Sequence, residues 1–182
     1  MAVLRIRKYG DPRLRQKTKT VAAFNEELQQ ITADMIETMQ AASGIGLAAN
    51  QVGLPYALCV ADFGLVKEGE KPRVFINPEI LETPGSMAPH EEGCLSIPDL
   101  TDQVDRPERA RLRFQDLDGT IHEQEFEGLI ARVLQHEIDH LNGVFFVDRL
   151  SPVRRQFHHK KLKEIAAQAQ IELLEEKKKK RK

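Results

Sequence analysis

The sequence is poor in the features that mark secreted, membrane-spanning and nucleic-acid-binding proteins. Two cysteines in 182 residues are too few for a disulfide framework, so Cys59 and Cys94 are expected to be free thiols in a reducing compartment. No apolar run is long enough to span a bilayer, and charges from Arg5 to Lys8 interrupt the N-terminal segment before a signal peptide could form. The formal net charge of -1 provides no overall field that would attract nucleic acid. We therefore expect a cytoplasmic protein with no membrane partner and no sequence-specific nucleic-acid partner.

The remaining composition is that of an ordinary globular domain. Apolar residues make up 41% of the chain and charged residues 30%. The length fits a single domain that spans residues 1–182, with no linker to divide it and with a C-terminal helix and basic tail from about residue 152. Every residue from Lys177 to Lys182 is basic. Such a run is typical of a solvated tail, and the alternative is a tail that binds a partner.

Periodicity and turn residues predict an α+β fold. Asn25 is a candidate N-cap for a first helix that ends at Ser43-Gly44. Buried strands are predicted at 56–63 and at 74–81, the second interrupted by Pro78. Asp118-Gly119 predicts a hairpin between strands 109–114 and 120–126, and helices are predicted from Glu127 to Asn142-Gly143 and from about Pro152 to Glu176.

The second helix carries the H-E-x-x-H pattern as His136, Glu137 and His140. Side chains four residues apart on a helix lie one above the other, so both imidazoles can reach one metal ion. Glu137 lies about a quarter-turn away from the two histidines and is placed to hold a water molecule rather than the metal. A chance pair of helical histidines is the alternative explanation, but the pattern favours a metal-dependent hydrolase with Glu137 as its general acid/base.

Apolar residues share the helical face that carries the histidines. Leu129 and Val133 precede His136 and His140 by whole turns, which places an apolar surface beside the metal. We expect this surface to hold an apolar substrate side chain near the bond that is attacked.

A catalytic site of this kind generally takes three protein ligands, so a third ligand is required. Cys94 is the best candidate, because it lies in a short segment directly after a glycine that allows close backbone approach. An inert buried thiol is the alternative for Cys94, and Cys59 is interpreted in that way. The other candidate ligands, in less confined settings, are His90, Glu92, His122, His158 and His159.

Three segments together resemble the signature motifs of bacterial peptide deformylases. They are Gly44–Gln51 (GIGLAANQ), Glu92–Ser96 (EGCLS) and Gln135–His140 (QHEIDH), in the family's order. The resemblance implies an enzyme that removes the N-formyl group from the initiator methionine of nascent polypeptides and releases formate. It also implies mostly antiparallel sheets packed around a central H-E-x-x-H helix, with an N-terminal and a C-terminal helix.

The same resemblance implies roles for individual residues. Cys94, His136 and His140 would hold one divalent metal ion, Fe²⁺ in the cell, with Zn²⁺, Ni²⁺ or Co²⁺ fitting a purified sample. Glu137 would be the catalytic acid/base, and Gln51 and the backbone N–H of Leu95 would stabilise the oxyanion. The residues implied to bind substrate are Ile45, Gly46, Leu129, Val133 and Glu92. The expected partners are the nascent formyl-methionine polypeptide and, through the C-terminal helix and tail, the ribosome.

One departure from the family pattern concerns Thr101, where many members have an arginine associated with the substrate backbone or carboxylate. The absence of this arginine leaves the catalytic assignment intact and bears on the binding of longer peptides.

Two other functions fit the motifs less well. A metallopeptidase that cuts internal bonds usually has its third ligand farther along the chain, and a purely structural metal requires four protein ligands.

Overall fold

The computed structural model describes residues 2–179, which form two antiparallel sheets and four helices. The elements are α1 (Glu26–Ala41), β1 (Gly46–Ala48), β2 (Leu58–Asp62), β3 (Pro72–Glu82), β4 (Met87–Cys94), β5 (Ile97–Pro107), β6 (Arg109–Gln115), β7 (Ile121–Glu127), α2 (Gly128–Leu141), α3 (Pro152–Phe157) and α4 (His159–Lys179). Five strands form one sheet in the order β1-β2-β3-β6-β7, and β4 pairs with β5 in a separate hairpin. The predicted α+β class is confirmed.

Local signals placed the first helix and the predicted strands correctly. The Asn25 side chain accepts a hydrogen bond from the backbone N–H of Leu28 at 3.0 Å, as an N-cap should. β6 and β7 pair from Arg109–Glu127 to Gln115–Ile121 and meet at the predicted turn, where Gly119 has a φ of +87°. β3 is interrupted as expected, because its register with β6 shifts between Ile76 and Glu79, on either side of Pro78.

The β4–β5 hairpin was not predicted. In β5 the buried side chains alternate as a half-buried strand requires, but two of them, Asp102 and Arg106, are charged. Charged residues at inward positions interrupt the alternation of apolar and polar residues by which a strand is predicted from sequence. The hairpin bears on the candidate metal site because Cys94, a candidate ligand, lies at the end of β4.

The prediction of one continuous C-terminal helix is wrong. The helix is broken at His158, whose Nε2 lies 2.7 Å from a carboxylate oxygen of Asp102 on β5. Phe157 of α3 is 80% exposed, while Leu162 and Ile165 of α4 pack against β5. The end of the basic tail, Lys180 to Lys182, lies outside the described residues.

Helix α2 lies at the centre of the molecule, between the five-stranded sheet and the β4–β5 hairpin. Every residue from Ile130 to Leu141 is buried. One face, including Leu134 and Ile138, belongs to the same core cluster as Phe75 of the sheet. Another face carries the histidines of the H-E-x-x-H pattern toward the hairpin. Within residues 2–179, no helix combines the length and apolar character needed to cross a bilayer.

Candidate metal centre and active site

Three candidate ligands converge where α2 meets the end of β4. The Cys94 Sγ lies 3.1 Å from His140 Nε2, and His140 Nε2 lies 3.2 Å from His136 Nε2. All three ligand atoms lie within 4.8 Å of one another. Among the described residues, this is the one group of three or more such side chains with metal-ligand geometry.

The fold explains why these three residues meet. The two histidines are one helical turn apart on α2, and the tight turn between β4 and β5 brings the Cys94 thiol to them. The backbone N–H of Ser96 lies 3.4 Å from the Cys94 Sγ, which holds the sulfur in this turn. Three of the four alternative histidines are engaged elsewhere: His122 contacts Asp116, His158 contacts Asp102, and His90 contacts the backbone carbonyl of Glu91. The fourth, His159, does not belong to the group that converges.

The donor set fits a divalent metal of the transition series. A thiolate and two imidazoles are the ligands that such ions prefer over Mg²⁺ or Ca²⁺. His136 Nδ1 lies 3.0 Å from a Glu92 carboxylate oxygen, which leaves its Nε2 toward the other two ligands. Burial alone would lower the pKa of His136, but hydrogen bonds to Cys94 and Glu92 raise it to about 10. A metal ion competes with that proton, so binding is expected to release it.

Glu137 is a buried carboxylate with one unused oxygen. Its Oε2 has no hydrogen-bond partner among the described residues, and the side chain lines the cavity beside the ligands. Burial, the largest influence, raises the pKa of Glu137 to about 7, against the opposing effect of the nearby His136 and Arg106. A carboxyl with a pKa near neutrality can both take and release a proton under physiological conditions.

Gly46 gives the Glu137 side chain the room that it occupies. A Cβ placed on Gly46 would lie 2.8 Å from the Val133 Cγ1 and 2.9 Å from the Glu137 Cδ. Both separations are shorter than real contacts, so glycine is required here for the approach of β1 to α2.

The Gln51 side chain has a fixed orientation next to the thiol. Its Oε1 accepts a hydrogen bond from the backbone N–H of Ala48 at 2.8 Å. Its Nε2 consequently faces the site, 3.5 Å from the Cys94 Sγ and 3.2 Å from the Ser96 Oγ. The amide is thereby presented as a hydrogen-bond donor beside the candidate ligands.

Leu95 lies in the turn between Cys94 and Ser96. The Lys8 Nζ donates a hydrogen bond to its carbonyl oxygen at 2.8 Å, and the backbone N–H of Tyr9 donates to the carbonyl of Ser96 at 2.8 Å. The N-terminal segment thus supports the turn that carries both the thiol and the backbone of Leu95.

All of the residues predicted to bind substrate line one cavity of about 790 Å³ that opens beside the ligands. They are Ile45, Gly46, Leu129, Val133 and Glu92, and Thr101 lines the same cavity. β1 borders it as an edge strand of the five-stranded sheet. An edge strand has free backbone groups that an extended peptide can pair with.

A buried charge network behind the ligands escaped the sequence analysis. Arg106 donates to Glu92 at 2.7 Å and to Asp139 at 2.7 Å, and Arg132 donates to Glu92 at 2.9 Å. Burial alone would raise the pKa of Glu92, but its hydrogen bonds with His136 and Arg106 hold the pKa below the ordinary value. One signal in the sequence was Arg132, which lies between apolar residues inside a predicted helix. A charge is rarely buried without partners, so this position indicated a buried ion pair.

Several known proteins of similar sequence and structure belong to one family. The family profile described as polypeptide deformylase matches residues 3–156. The chain is 49% identical to the peptide deformylase of Afipia carboxidovorans over 91% of this chain and 97% of that protein. It is 46% identical to the peptide deformylase of Acinetobacter baumannii over 94% and 97% of the two chains. The crystal structure of a peptide deformylase from Legionella pneumophila superposes with a TM-score of 0.82 at 43% identity, covering 90% of this chain and 95% of that one.

Proposed function

The chain belongs to the polypeptide deformylase family, whose members remove the N-formyl group from nascent peptides, and from this premise we propose which of its residues perform the reaction. The enzyme class and the metal dependence follow from the family. The assignment of residues rests on the convergence of Cys94, His136 and His140 beside Glu137 in the cavity.

Cys94, His136 and His140 are proposed as the three protein ligands of one divalent metal ion. Three ligands leave a position for water, as catalytic sites require. When bound, the ion lowers the pKa of water and polarises the formyl carbonyl. We propose Fe²⁺ in the cell, while Zn²⁺, Ni²⁺ and Co²⁺ also suit a thiolate and two imidazoles in a purified sample.

Glu137 is proposed as the general acid/base. Its unpartnered Oε2 is available to accept a proton from the attacking water. The water oxygen bonds to the formyl carbon, the C–N bond of the formamide then breaks, and Glu137 returns the proton to the departing amine, which leaves formic acid that ionises to formate. Burial keeps the carboxyl away from bulk water, so the same proton can be held between the two steps.

Gln51 and Leu95 are proposed to stabilise the negative charge that develops on the formyl oxygen. The Ala48 N–H fixes the Gln51 amide, so its Nε2 donor is in place before the reaction begins. Donors that need no reorientation contribute most to this kind of stabilisation. The backbone N–H of Leu95 would supply the second donor from the supported turn.

The substrate is proposed to lie along the free edge of β1. Its backbone would pair with Ile45 and Gly46, and its methionine side chain would contact Leu129 and Val133. Glu92 lines the same cavity, and its carboxylate is hydrogen-bonded to Arg106, Arg132 and His136. Thr101 carries no charge on the cavity wall, so we expect a C-terminal carboxylate on a short peptide to add little affinity.

A cytoplasmic location and an association with the ribosome remain part of the proposal. Nascent chains are the substrates of the family, and α4 presents Lys160 and Lys163 on its exposed surface, ahead of the basic run that begins at Lys177. Co-sedimentation with ribosomes should decrease when residues 177–182 are deleted. Unchanged co-sedimentation would remove the tail from the proposal without affecting the enzyme.

Formate release after anaerobic reconstitution with each metal tests the reaction and the metal together. The enzyme should release formate from a formyl-methionyl peptide and leave the unblocked peptide intact. Consumption of the unblocked peptide alone would instead indicate a metallopeptidase. A Glu137→Gln variant should keep its metal and lose turnover; if it stays fully active, the metal is structural.

A further inference from the structure

Arg132 is a buried arginine on the metal-bearing helix, one turn before His136. Its guanidinium donates three hydrogen bonds away from α2. Nη1 donates to the Glu92 Oε1 at 2.9 Å and to the backbone carbonyl of Val104 at 2.8 Å, and Nη2 donates to the backbone carbonyl of Ala88 at 2.5 Å. The side chain therefore joins α2 to both strands of the β4–β5 hairpin.

Glu92 connects this arginine to the candidate metal centre. Its Oε1 accepts hydrogen bonds from Arg106 and Arg132, while its Oε2 accepts from Arg106 and contacts His136 Nδ1 at 3.0 Å. Because Oε1 is held by two arginines, Oε2 is directed at the imidazole. A carboxylate in this position selects the tautomer with hydrogen on Nδ1 and leaves the Nε2 lone pair for the metal.

We propose that Arg132 is a positioning residue that fixes Glu92, and through Glu92 the His136 imidazole, in the orientation that binds the metal. The inference rests on the proposed role of His136 as a ligand. Arg132 acts on the metal through two hydrogen bonds in series and has no direct contact with it.

Arg106 does not make Arg132 redundant, since Arg106 also donates to Asp139 at 2.7 Å and divides its donors between two carboxylates. The other two acceptors of Arg132 are backbone carbonyls of paired strands, which cannot move unless the hairpin moves. Arg132 is therefore a second fixed donor, which together with Arg106 orients the Glu92 carboxylate.

Metal dissociation from the Zn²⁺-loaded protein into an excess of chelator tests the proposal. Loss of a partner behind a metal ligand typically weakens binding about 10- to 100-fold, so Arg132→Met should accelerate dissociation at least about tenfold. Arg132→Lys keeps a donor for Glu92, so its dissociation rate should lie between those of wild type and Arg132→Met. Arg154→Met is the matched control, because Arg154 pairs with Asp102 on the same hairpin without touching Glu92. It should leave dissociation within about twofold of wild type.

The Co²⁺-loaded variants provide a second readout that general destabilisation would not move. Arg132→Met should change the ligand-field absorption of Co²⁺, whereas Arg154→Met should not. A spectrum and a dissociation rate like those of wild type in Arg132→Met would overturn the proposal. If that variant does not fold, Arg132→Lys carries the test, with at least about threefold faster dissociation expected, and a wild-type rate overturns the proposal equally.

A double-mutant cycle with Glu92→Gln tests whether Arg132 acts through Glu92. Residues that act in series are not additive, so adding Arg132→Met to Glu92→Gln should change dissociation less than about twofold. A full additional effect would contradict the proposed route. His136→Ala separates a failure of the proposed ligand set from a failure of the proposed role of Arg132. Tight metal binding by His136→Ala would refute the ligand set. Loss of metal from His136→Ala together with normal metal binding by Arg132→Met would refute the role of Arg132 alone.

Discussion

Replacing Gly46 with alanine tests how closely β1 must approach the H-E-x-x-H helix. The added Cβ would lie 2.8 Å from the Val133 Cγ1 and 2.9 Å from the Glu137 Cδ. Carbon atoms prefer separations of about 3.5 Å or more, so these two atoms must move by about 0.6 to 0.7 Å. The Glu137 Oε1 is closer to the added Cβ than either of them and must move farther. Both neighbours are on the same buried helix, which leaves little room for them to move apart.

The structure gives a magnitude for both stability and activity. Overpacking of this kind costs about 1–3 kcal/mol, reduced by somewhat under 1 kcal/mol because alanine restricts the unfolded chain more than glycine does. Displacing the Glu137 carboxylate by a large fraction of an ångström should lower kcat by about 100-fold. We therefore expect Gly46→Ala to be modestly less stable and severely less active, with its metal retained.

Formate release, metal content and denaturant unfolding measure these effects separately. Adding Val133→Ala should restore part of the stability but little of the activity, because it relieves the contact with Val133 and leaves the closer contact with Glu137. Gly44→Ala is a milder comparison, since its nearest neighbour is the Cδ1 end of the Leu95 side chain, which can rotate away. A Gly46→Ala enzyme with kcat within a few-fold of wild type would refute the reasoning.

Three further predictions follow from the site and its supports. Glu137→Gln should lower kcat by about 10²- to 10⁴-fold in formate release and leave the metal content unchanged; loss of the metal would contradict an acid/base role. Removal of the metal by chelation should lower the Tm. Cys94→Ser should lower the Tm of the metal-loaded protein and should make the Tm less sensitive to chelator than that of wild type. If the Tm of the variant and of wild type responded equally to chelator, Cys94 would be excluded as a ligand. Burial alone would raise the pKa of Asp102, but hydrogen bonds from His158 and Arg154 hold it below its usual 3.8. Its ion pairs therefore stabilise the fold above that pH and cease to do so as the pH falls through the lowered pKa. Asp102→Asn should cost about 1 kcal/mol in urea unfolding at pH 7 and progressively less toward pH 2, and a cost independent of pH would contradict this account.

Local sequence signals predicted much of the fold because their physical causes are local. The Asn25 cap and the Asp118-Gly119 turn act within a few residues, so their geometry follows from the residues themselves. The break at His158 could not be predicted in this way. It coincides with a contact to Asp102, which lies 56 residues earlier in the chain.

The missed hairpin shows a second limit of sequence patterns. β5 directs Asp102 and Arg106 inward, and these charges are stable there because partners from α2, α3 and β4 neutralise them. A pattern that counts only apolar residues excludes such a strand. The compensating charges lie far away in sequence and become neighbours only in the folded chain.

The sequence by itself determined that two imidazoles and a carboxylate would share one region of a helix, because helical spacing is set by backbone geometry. The third ligand was proposed from its neighbours in the chain and from the resemblance to a family, and the turn after β4 brings the Cys94 thiol 3.1 Å from His140. Only the tertiary structure decided how the site is supported: the edge strand β1, the fixed Gln51 amide and the Arg132–Glu92–His136 chain. These features join segments that are far apart in sequence, and hydrogen-bond partners of that kind are set by packing rather than by local preference.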